Sequence, residues 1–174
     1  MPTTILVVDD DTLIRKLVGA HLRAWGYEVA TASGVEEALA VLGARHVHIV
    51  LTDIEMPGRD GYDLLRILRD QHPLIRAIVL TSHDEVSTVL DVLKLGAFSF
   101  VSKPILDPEI LAQAVAQAEV VLRGWLDRLA SVSRRRKPSG TTAVEPHAAQ
   151  TPVPESPGPL TDFLLPTDQL VPLP

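Results

Sequence analysis

The chain of 174 residues contains no cysteine and no apolar run that approaches a membrane span. Without cysteine there is neither a disulfide framework nor a cysteine-ligated zinc site. A membrane helix needs about 20 predominantly apolar residues, and the N-terminal sequence MPTTILVVDDD lacks the basic region and apolar run of a signal peptide. The formal net charge of −6 does not favour a nucleic-acid-binding surface. We therefore expect a soluble cytoplasmic protein that binds neither membranes nor DNA directly.

Proline is unevenly distributed, since nine of the 14 prolines lie at or after Pro138. A segment so rich in proline, serine, threonine and glycine buries too little apolar surface to offset its ordering entropy. Residues 138–174 are therefore predicted to form a disordered tail. The final stretch LTDFLLPTDQLVPLP is more apolar than a plain linker, which leaves a short docking motif open as an alternative.

Short aliphatic or β-branched runs recur along the first part of the chain. They are ILVV at 5–8, YEVAT at 27–31, HIVLT at 48–52, AIVLT at 77–81 and FSFVS at 98–102. Because these runs lack polar alternation, they are predicted to be strands buried on both faces, as in a parallel sheet. Helical stretches separate them, which indicates right-handed βα units. In the first of these helices, one face carries Leu13, Leu17, Ala20, His21 and Ala24. The absence of a GxGxxG motif and of an eightfold repeat disfavours a dinucleotide-binding fold and a closed barrel.

A longer helix is predicted after Asp107, which caps it, with Pro108 in the first turn. Its apolar residues follow a heptad pattern: Leu111, Val115, Ala118, Leu122, Trp125, Leu129 and Val132. At about 1.5 Å per residue the helix would extend roughly 43 Å to Arg136. We therefore expect its first half to pack on the sheet and residues 124–137 to project. The projecting stripe is typical of a parallel coiled coil and hence of a homodimer, but packing on a partner or on the same domain remains open.

Polar side chains follow the predicted strands at the edge where open parallel sheets bind ligands. They are Asp9, Asp10 and Asp11 after the first strand, Asp53 at the third, Thr81 and Ser82 at the fourth and Lys103 after the fifth. Clustered carboxylates repel each other, and Mg²⁺, which prefers oxygen ligands, relieves that repulsion. Mg²⁺ together with a lysine and a hydroxyl donor is suited to stabilise a phosphoryl group in transfer. The central Asp53 is the candidate nucleophile.

Each of these residues also has a simpler explanation when it is taken alone. Asp11 would cap the first helix, Lys103 would form a surface ion pair, Thr81 would be a β-former and Phe100 would belong to the core. Only their joint occurrence at successive strand ends, in order, favours the site.

The stretches ILVVDDD, LTDIEMPGRDGYDLL, IVLTS and GAFSFVSKP resemble the receiver domain of two-component response regulators, such as the chemotaxis regulator. The resemblance covers residues 3–123. It implies an α/β fold, a flavodoxin-like, doubly wound, five-stranded parallel sheet of order 2-1-3-4-5, here with an extended fifth helix. It also implies that a sensor histidine kinase donates a phosphoryl group to Asp53 in the presence of Mg²⁺, and that a protein-interaction surface then switches.

The resemblance further implies a role for each matching residue. The Mg²⁺ ligands would be Asp9, Asp10, Asp53 and the backbone carbonyl of Glu55, with Asp10 as a direct ligand. The catalytic residues would be Asp53, Thr81 and Lys103, with a cis bond between Lys103 and Pro104. The switch residues would be Thr81 and Phe100, and the residues that modulate phosphoryl lifetime would be Glu55 and His83.

The output is less determined, because no recognisable helix-turn-helix or GGDEF-type domain follows the receiver. One hypothesis is a stand-alone receiver that signals through the face of the fourth helix, fifth strand and fifth helix, and through the tail. The alternative is a phosphorelay intermediate or phosphate sink that passes the group to a histidine phosphotransfer protein. Such a protein is not an enzyme in the ordinary sense, although it catalyses its own aspartyl phosphorylation and slow autodephosphorylation. A haloacid-dehalogenase-like phosphatase is disfavoured, since Glu55 stands where that class needs aspartate.

Overall fold

The structure is a computed structural model that describes residues 2–82 and 85–135, with side chains of the last helix described as far as Val132. The predicted tail at 138–174 and the predicted modulating residue His83 lie outside the described residues. Within them, no helix combines the length and apolarity that crossing a membrane requires.

Strands and helices alternate along the described residues, as the sequence predicts. The elements are β1 (Thr4–Val8), α1 (Thr12–Ala24), β2 (Glu28–Ala32), α2 (Val35–Ala44), β3 (Ile49–Asp53), α3 (Gly61–Gln71), β4 (Arg76–Thr81), α4 (Val86–Lys94), β5 (Ser99–Ser102) and α5 (Pro108–Arg135). The caps predicted at Asp11 and Asp107 are present, whereas α2 begins after Gly34 without a side-chain cap. Asp11 accepts a hydrogen bond from the Leu13 amide at 2.7 Å, and Asp107 accepts one from the Glu109 amide at 2.9 Å.

All strand pairs are parallel, and the sheet order is β2-β1-β3-β4-β5, which confirms the predicted topology. The chain moves outward from β1 to β2 and then returns across β1 to β3. The strand order therefore reverses between β1 and β3. In open α/β sheets the crevice at such a switch point, beyond the carboxyl ends of the strands, is where ligands bind.

Alternate residues of each strand face opposite sides of the sheet, and both sides are covered. Ile5 and Val7 of β1 pack against α1 and α5, whereas Leu6 and Val8 pack against α2, α3 and α4. Every residue of β1 and β3 is buried. The absence of polar alternation in these strands is thus explained by their burial on both faces.

The face of α1 that carries Leu13 and Leu17 is not the buried one. Leu13 is 74% exposed, whereas Val18 and Leu22 are fully buried between the sheet and α5. Two apolar stripes run along α1 one residue apart, so periodicity alone could not choose between them. The choice depends on how the turn after β1 sets the rotation of the helix.

α5 packs on the sheet along its first half only. Leu111, Val115, Ala118 and Leu122 are buried, and they are followed on the same stripe by Trp125, which is 47% exposed, and by the exposed Leu129 and Val132. At about 1.5 Å per residue its 28 residues span roughly 42 Å. The long fifth helix is thereby confirmed, while the domain boundary at residue 123 stays a prediction.

A polar cluster around Glu119 holds the middle of α5 to the sheet. Its carboxylate accepts hydrogen bonds from the Thr3 hydroxyl at 2.6 Å, the Tyr27 hydroxyl at 3.2 Å and the Arg123 guanidinium at 2.7 Å. Partial burial raises the pKa of Glu119, but these three donors outweigh that effect, so its pKa lies below the ordinary value. Glu119 lies nearly two helical turns before Trp125, the first exposed residue of the stripe on α5.

Candidate functional site

Lys103 joins two chain-distant carboxylates in the crevice between β1 and β3. Its Nζ atom lies 2.7 Å from Asp9 Oδ2 and 2.7 Å from Asp53 Oδ2. Asp9 is fully buried, and the side chains of Asp53 and Lys103 are 8% and 14% exposed. The structure therefore brings together the N-terminal acids, the acid at the end of β3 and the lysine after β5.

Asp9 is a buried carboxylate with two donors. Lys103 donates to Oδ2, and the Asp11 amide donates to Oδ1 at 2.8 Å. Burial raises the pKa of Asp9, and the hydrogen bonds from Lys103 and Asp11 offset that rise only in part, so the pKa remains above its ordinary value. The nearby charge of Asp53 acts in the same direction as burial.

Lys103 is held as a cation by its two partners. Burial lowers the pKa of Lys103, but the hydrogen bonds and charges of Asp53 and Asp9 raise it by more, so the net shift is upward. The Lys103–Pro104 bond is cis, as the resemblance implies. The backbone amide of Lys103 donates to the carbonyl of Thr81 at 2.7 Å, which attaches the start of the β5–α5 loop to the end of β4.

The turn after β3 fixes one carboxylate oxygen of Asp53. Oδ1 accepts hydrogen bonds from the amides of Ile54, at 2.7 Å, and Glu55, at 3.3 Å, while Oδ2 faces Lys103. Hydrogen bonds from backbone amides hold a carboxylate in one rotamer. Asp53 therefore presents Oδ2, rather than Oδ1, toward the ammonium group.

Gly61 is a site residue that sequence reasoning missed. It begins α3 directly after the cap Asp60, and its amide donates to the Ile54 carbonyl at 2.9 Å. A Cβ atom at this position would lie 2.7 Å from Ile54 Cα and closer still to the Asp53 carbonyl oxygen. Only glycine lets the first turn of α3 approach the Asp53 turn so closely. The sequence signal for this contact was a glycine directly after the N-cap Asp60, a position at which helix formation does not require glycine.

The carboxylates of Asp9, Asp10 and Asp53 form a cluster in which one oxygen from each lies within 4.8 Å of the others. Asp10, unlike the other two, is exposed. Three carboxylates against one ammonium leave an excess of negative charge, and every candidate ligand is an oxygen. This donor set fits Mg²⁺, which binds one or two carboxylates and keeps several waters. Glu55 is exposed beside the cluster, and the role of its carbonyl as a ligand stays a prediction.

Thr81 and Phe100 lie on adjacent strands near the acid cluster. Val79 pairs with Phe100 and Thr81 pairs with Ser102, so alternation places Thr81 and Phe100 on the same face of the sheet. Thr81 is buried, and Phe100 is half-buried against the core beneath α2, α3 and α4. A cavity of about 370 Å³ lies beside Thr81 and is lined by Ile54, Glu55, Met56, Asp60, Tyr62, Thr81 and Thr88.

Comparisons with known proteins agree with this geometry. Residues 5–116 match the model of the response regulator receiver domain family. The transcriptional regulatory protein GlrR of Escherichia coli K12 is 36% identical over 117 residues, which are 67% of this chain and 26% of GlrR. The chain thus spans about a quarter of the length of this relative.

Solved structures show the same fold. A CheY-like receiver domain protein from Methanospirillum hungatei is 27% identical with a TM-score of 0.67, covering 71% of this chain and 98% of that one. The response regulator TrrA of Thermotoga maritima, solved in complex with Mg²⁺–BeF, is 32% identical with a TM-score of 0.61, covering 67% and 98%. The sheet order, the acid cluster and these matches lead to one assignment: the chain belongs to the family of response regulator receiver domains.

Proposed function

We propose that this chain is the phosphoacceptor of a two-component system and that Asp53 takes a phosphoryl group from the phosphohistidine of a sensor histidine kinase. The observation that supports this most is the Lys103 ammonium group, 2.7 Å from both Asp9 and Asp53, beside a cluster of three carboxylates. A buried cation next to a nucleophilic carboxylate is suited to stabilise the charge of a phosphoryl group.

In the proposed transfer, Oδ2 of Asp53 forms a bond to phosphorus. The P–N bond to the donor imidazole breaks, and its electron pair returns to the nitrogen. The amides of Ile54 and Glu55 hold Oδ1 and thereby orient the nucleophile. Lys103 and the hydroxyl of Thr81 would then stabilise the phosphoryl oxygens on Asp53.

Mg²⁺, when bound, neutralises negative charge on the phosphoryl oxygens. Asp9, Asp10, Asp53 and the carbonyl of Glu55 are the residues proposed to hold it. The carboxylate cluster and the Mg²⁺–BeF complex of TrrA support this assignment. In this scheme the chain accelerates its own phosphorylation and its slow dephosphorylation, with Glu55 and His83 modulating the lifetime of the phosphoryl group.

Transmission from Asp53 would be a shift between two populations. Phosphorylation adds roughly 1.5 to 2 negative charges, which attract Thr81 and Lys103, and Phe100 rotates inward into the space that Thr81 vacates. The phosphoryl group must interact differently with the two states, since otherwise nothing is transmitted. The position of Thr81 and Phe100 on one face of the sheet supports this path. Phosphate-analogue titration followed by NMR tests it: shifts confined to the Asp53 pocket would contradict the proposal.

The output surface would be the face formed by α4, β5 and α5. Apolar side chains on this face are exposed, namely Val86, Leu90, Leu93, Leu106 and Ile110. A cavity of about 400 Å³ lies between β5 and the start of α5. Exposed apolar residues in such number are typical of a protein-interaction surface, which favours signalling by contact with a downstream protein, in which the tail would also take part.

The kinase would approach from the side of α1. This helix starts next to Asp9, and Leu13 and Leu17 are exposed along it. Any donor of a phosphoryl group to Asp53 must contact the rim of the crevice, so these two leucines are available to it. A cytoplasmic location is also part of the proposal, because it follows from the receiver-domain family and not from this arrangement.

Two further parts of the proposal concern partners. The exposed half of the α5 stripe supports a homodimer, formed by Trp125, Leu129 and Val132 of two copies. The absence of direct DNA binding by this chain rests on its net charge of −6. GlrR, which is named a transcriptional regulatory protein, extends well beyond the matched region, so its other activities are not transferred to this chain.

The alternative function is that of a phosphorelay intermediate or phosphate sink. The same site serves both functions, since transfer from Asp53 to a histidine is the reverse of its loading. Rapid loss of the phosphoryl group to a histidine phosphotransfer domain would favour this alternative. A stable, phosphorylation-dependent complex with a protein other than the kinase would favour signalling by contact.

The decisive test of the acceptor site is incubation with acetyl phosphate and Mg²⁺, followed by intact-protein mass spectrometry. We expect one phosphoryl group on the wild type, none on Asp53→Asn and one on the control Asp70→Asn, which alters an exposed carboxylate on α3. Phosphorylation of Asp53→Asn to the wild-type level would overturn the proposal.

A further inference from the structure

Arg15, on the first turn of α1, directs its guanidinium group back to the end of β1. Nη1 donates to the carbonyl oxygen of Asp9 at 2.6 Å, and Nη2 donates to the Thr12 hydroxyl at 3.0 Å. The side chain is half-buried. It takes no part in the phosphoryl transfer proposed above, and the sequence analysis did not single it out.

The backbone that Arg15 contacts has left the sheet. The amide of Asp9 donates to the Ala32 carbonyl at 3.2 Å, and the regular ladder of β1 ends there. Beyond this point the Asp9 carbonyl needs another donor, because buried carbonyl groups are nearly always hydrogen-bonded. The guanidinium group supplies a charge-assisted bond, which is stronger than a neutral one.

Arg15 in fact holds both sides of Asp10. Its side chain bonds to the carbonyl of Asp9, and its backbone amide bonds to the carbonyl of Asp11 at 3.0 Å, the first i→i−4 bond of α1, which any non-proline residue would make here. The Asp11 amide in turn donates to the Asp9 carboxylate. Asp10 is thus the middle residue of a turn whose two flanking carbonyl groups are both bonded to one arginine.

The carboxylate of Asp10 has no such support of its own. Among residues 2–82 and 85–135 the structure records no hydrogen bond or ion pair to it, although it belongs to the carboxylate cluster with Asp9 and Asp53. The backbone of the turn therefore sets the direction of its Cα–Cβ bond, and with it the rotamers that reach the cluster. Groups that orient a metal ligand commonly change metal affinity by about 10- to 100-fold when they are mutated.

We propose that Arg15 is a positioning residue for the divalent cation: its guanidinium fork fixes the turn from Asp9 to Asp11, so that Asp10 is oriented for binding before the ion arrives. This inference rests on the proposed function in so far as the ion is Mg²⁺. The inference goes beyond the proposed function because it assigns part of the affinity for the divalent cation to a residue that is not a ligand of it.

Geometry and charge make opposite predictions at this position, which allows a clean test. A cation near the cluster repels Mg²⁺, so a purely electrostatic role predicts tighter binding when the charge is removed. Positioning predicts weaker binding whenever the fork is lost, even if the charge is kept. Arg15→Lys keeps the charge but has no planar fork, and Thr12→Val keeps Arg15 but removes the acceptor of its second nitrogen.

The experiment is a Mg²⁺ titration of the full chain without any phosphoryl donor, followed by NMR or calorimetry. We expect Arg15→Lys to weaken Mg²⁺ binding about 10-fold and Thr12→Val to weaken it roughly two- to tenfold. Arg23→Lys, an exposed position in the last turn of the same helix, should leave the affinity unchanged. Thermal unfolding without Mg²⁺ checks that each variant is folded. If Arg15→Lys is not folded, the affinity of Thr12→Val for Mg²⁺ decides the test.

Wild-type affinity in both Arg15→Lys and Thr12→Val, or the same loss in Arg23→Lys, would overturn the inference. So would tighter binding by Arg15→Gln, which indicates a charge effect alone. If the wild type itself fails to bind Mg²⁺, both the inference and the proposed cofactor are wrong. If the wild type binds Mg²⁺ and the variants bind it equally well, only the role of Arg15 is wrong.

Discussion

Replacing Lys103 with methionine should destabilise the protein strongly and in a pH-dependent way. The ammonium group is the shared partner of the Asp9 and Asp53 carboxylates, each 2.7 Å away. Methionine fills a similar volume but leaves two buried carboxylates facing each other without that cation. Removing one partner of a buried ion pair costs more than forming the pair contributes, because an uncompensated charge remains in the interior.

The expected loss is about 3 kcal/mol in the free energy of unfolding at pH 8. Breaking a buried pair typically costs about 3–5 kcal/mol, and the lower end applies because water reaches Asp53 and Lys103, which are 8% and 14% exposed. Mg²⁺ should reverse much of the loss. A ligand that binds only the folded state at 100 times its Kd contributes about 2.7 kcal/mol.

The sign of the pH dependence follows from Asp9. Its pKa in the folded protein already lies above the ordinary 3.8, mainly because of burial, and it should rise further without Lys103. The stability associated with a raised carboxyl pKa is fully present below the unfolded-state pKa and is lost as pH rises through the folded-state pKa. The difference between wild type and Lys103→Met should therefore shrink as the pH is lowered through the folded-state pKa of Asp9 in the variant.

Urea denaturation with EDTA and with Mg²⁺, at pH 5 and at pH 8, measures all of these effects. Lys94→Met is the matched control, because Lys94 is a 72% exposed lysine whose only ion pair is the surface contact with Asp91 among the residues that the structure describes. The Lys94→Met substitution should lower the free energy of unfolding by less than about 1 kcal/mol. A loss in Lys103→Met no larger than that of the control, or a deficit that grows on acidification, would refute the reasoning.

Three other substitutions test the site and α5. Gly61→Ala should lower the free energy of unfolding by about 1–3 kcal/mol and slow the phosphorylation of Asp53. The control Gly43→Ala, in a helix with open space around it, should not destabilise the protein. Denaturation measures the stability of each variant, and acetyl phosphate labelling measures its phosphorylation. Glu119→Gln should lower the free energy of unfolding by about 1–2 kcal/mol at pH 7. The folded-state pKa of Glu119 lies below 4.5, so the difference from wild type should disappear as the pH falls through that pKa. Denaturation curves recorded at several pH values measure this change. Leu129→Glu should convert a dimer to a monomer in light scattering at tens of micromolar; a wild-type monomer there would contradict the coiled coil.

The strand-end residues were predictable because parallel strands place their carboxyl ends at one edge of the sheet. Burial on both faces made the strands recognisable, and a resemblance across four motifs fixed their order. The convergence of Asp9, Asp53 and Lys103 therefore needed no knowledge of side-chain packing. The heptad pattern likewise gave the length of α5, because a helix that outruns its domain keeps its periodicity.

The errors and omissions have a common physical cause. The buried face of α1 was ambiguous because two apolar stripes lie one residue apart, and only the turn after β1 selects Val18 and Leu22. Gly61 and Arg15 act through close approach and through a hydrogen bond to a backbone carbonyl. Such contacts depend on the conformation of the turns that follow β1 and β3, and neither composition nor periodicity encodes it.

Lys103 connects the acid cluster to the proposed switch through two different groups. Its ammonium group holds Asp9 and Asp53, while its backbone amide holds the carbonyl of Thr81 at 2.7 Å. A phosphoryl group on Asp53 would replace one partner of the ammonium with a more highly charged one. Because the amide ties the backbone of Lys103 to the end of β4, that backbone cannot shift without also moving Thr81, on the face that also carries Phe100. In the proposed switch, the change would therefore begin at the ends of β4 and β5.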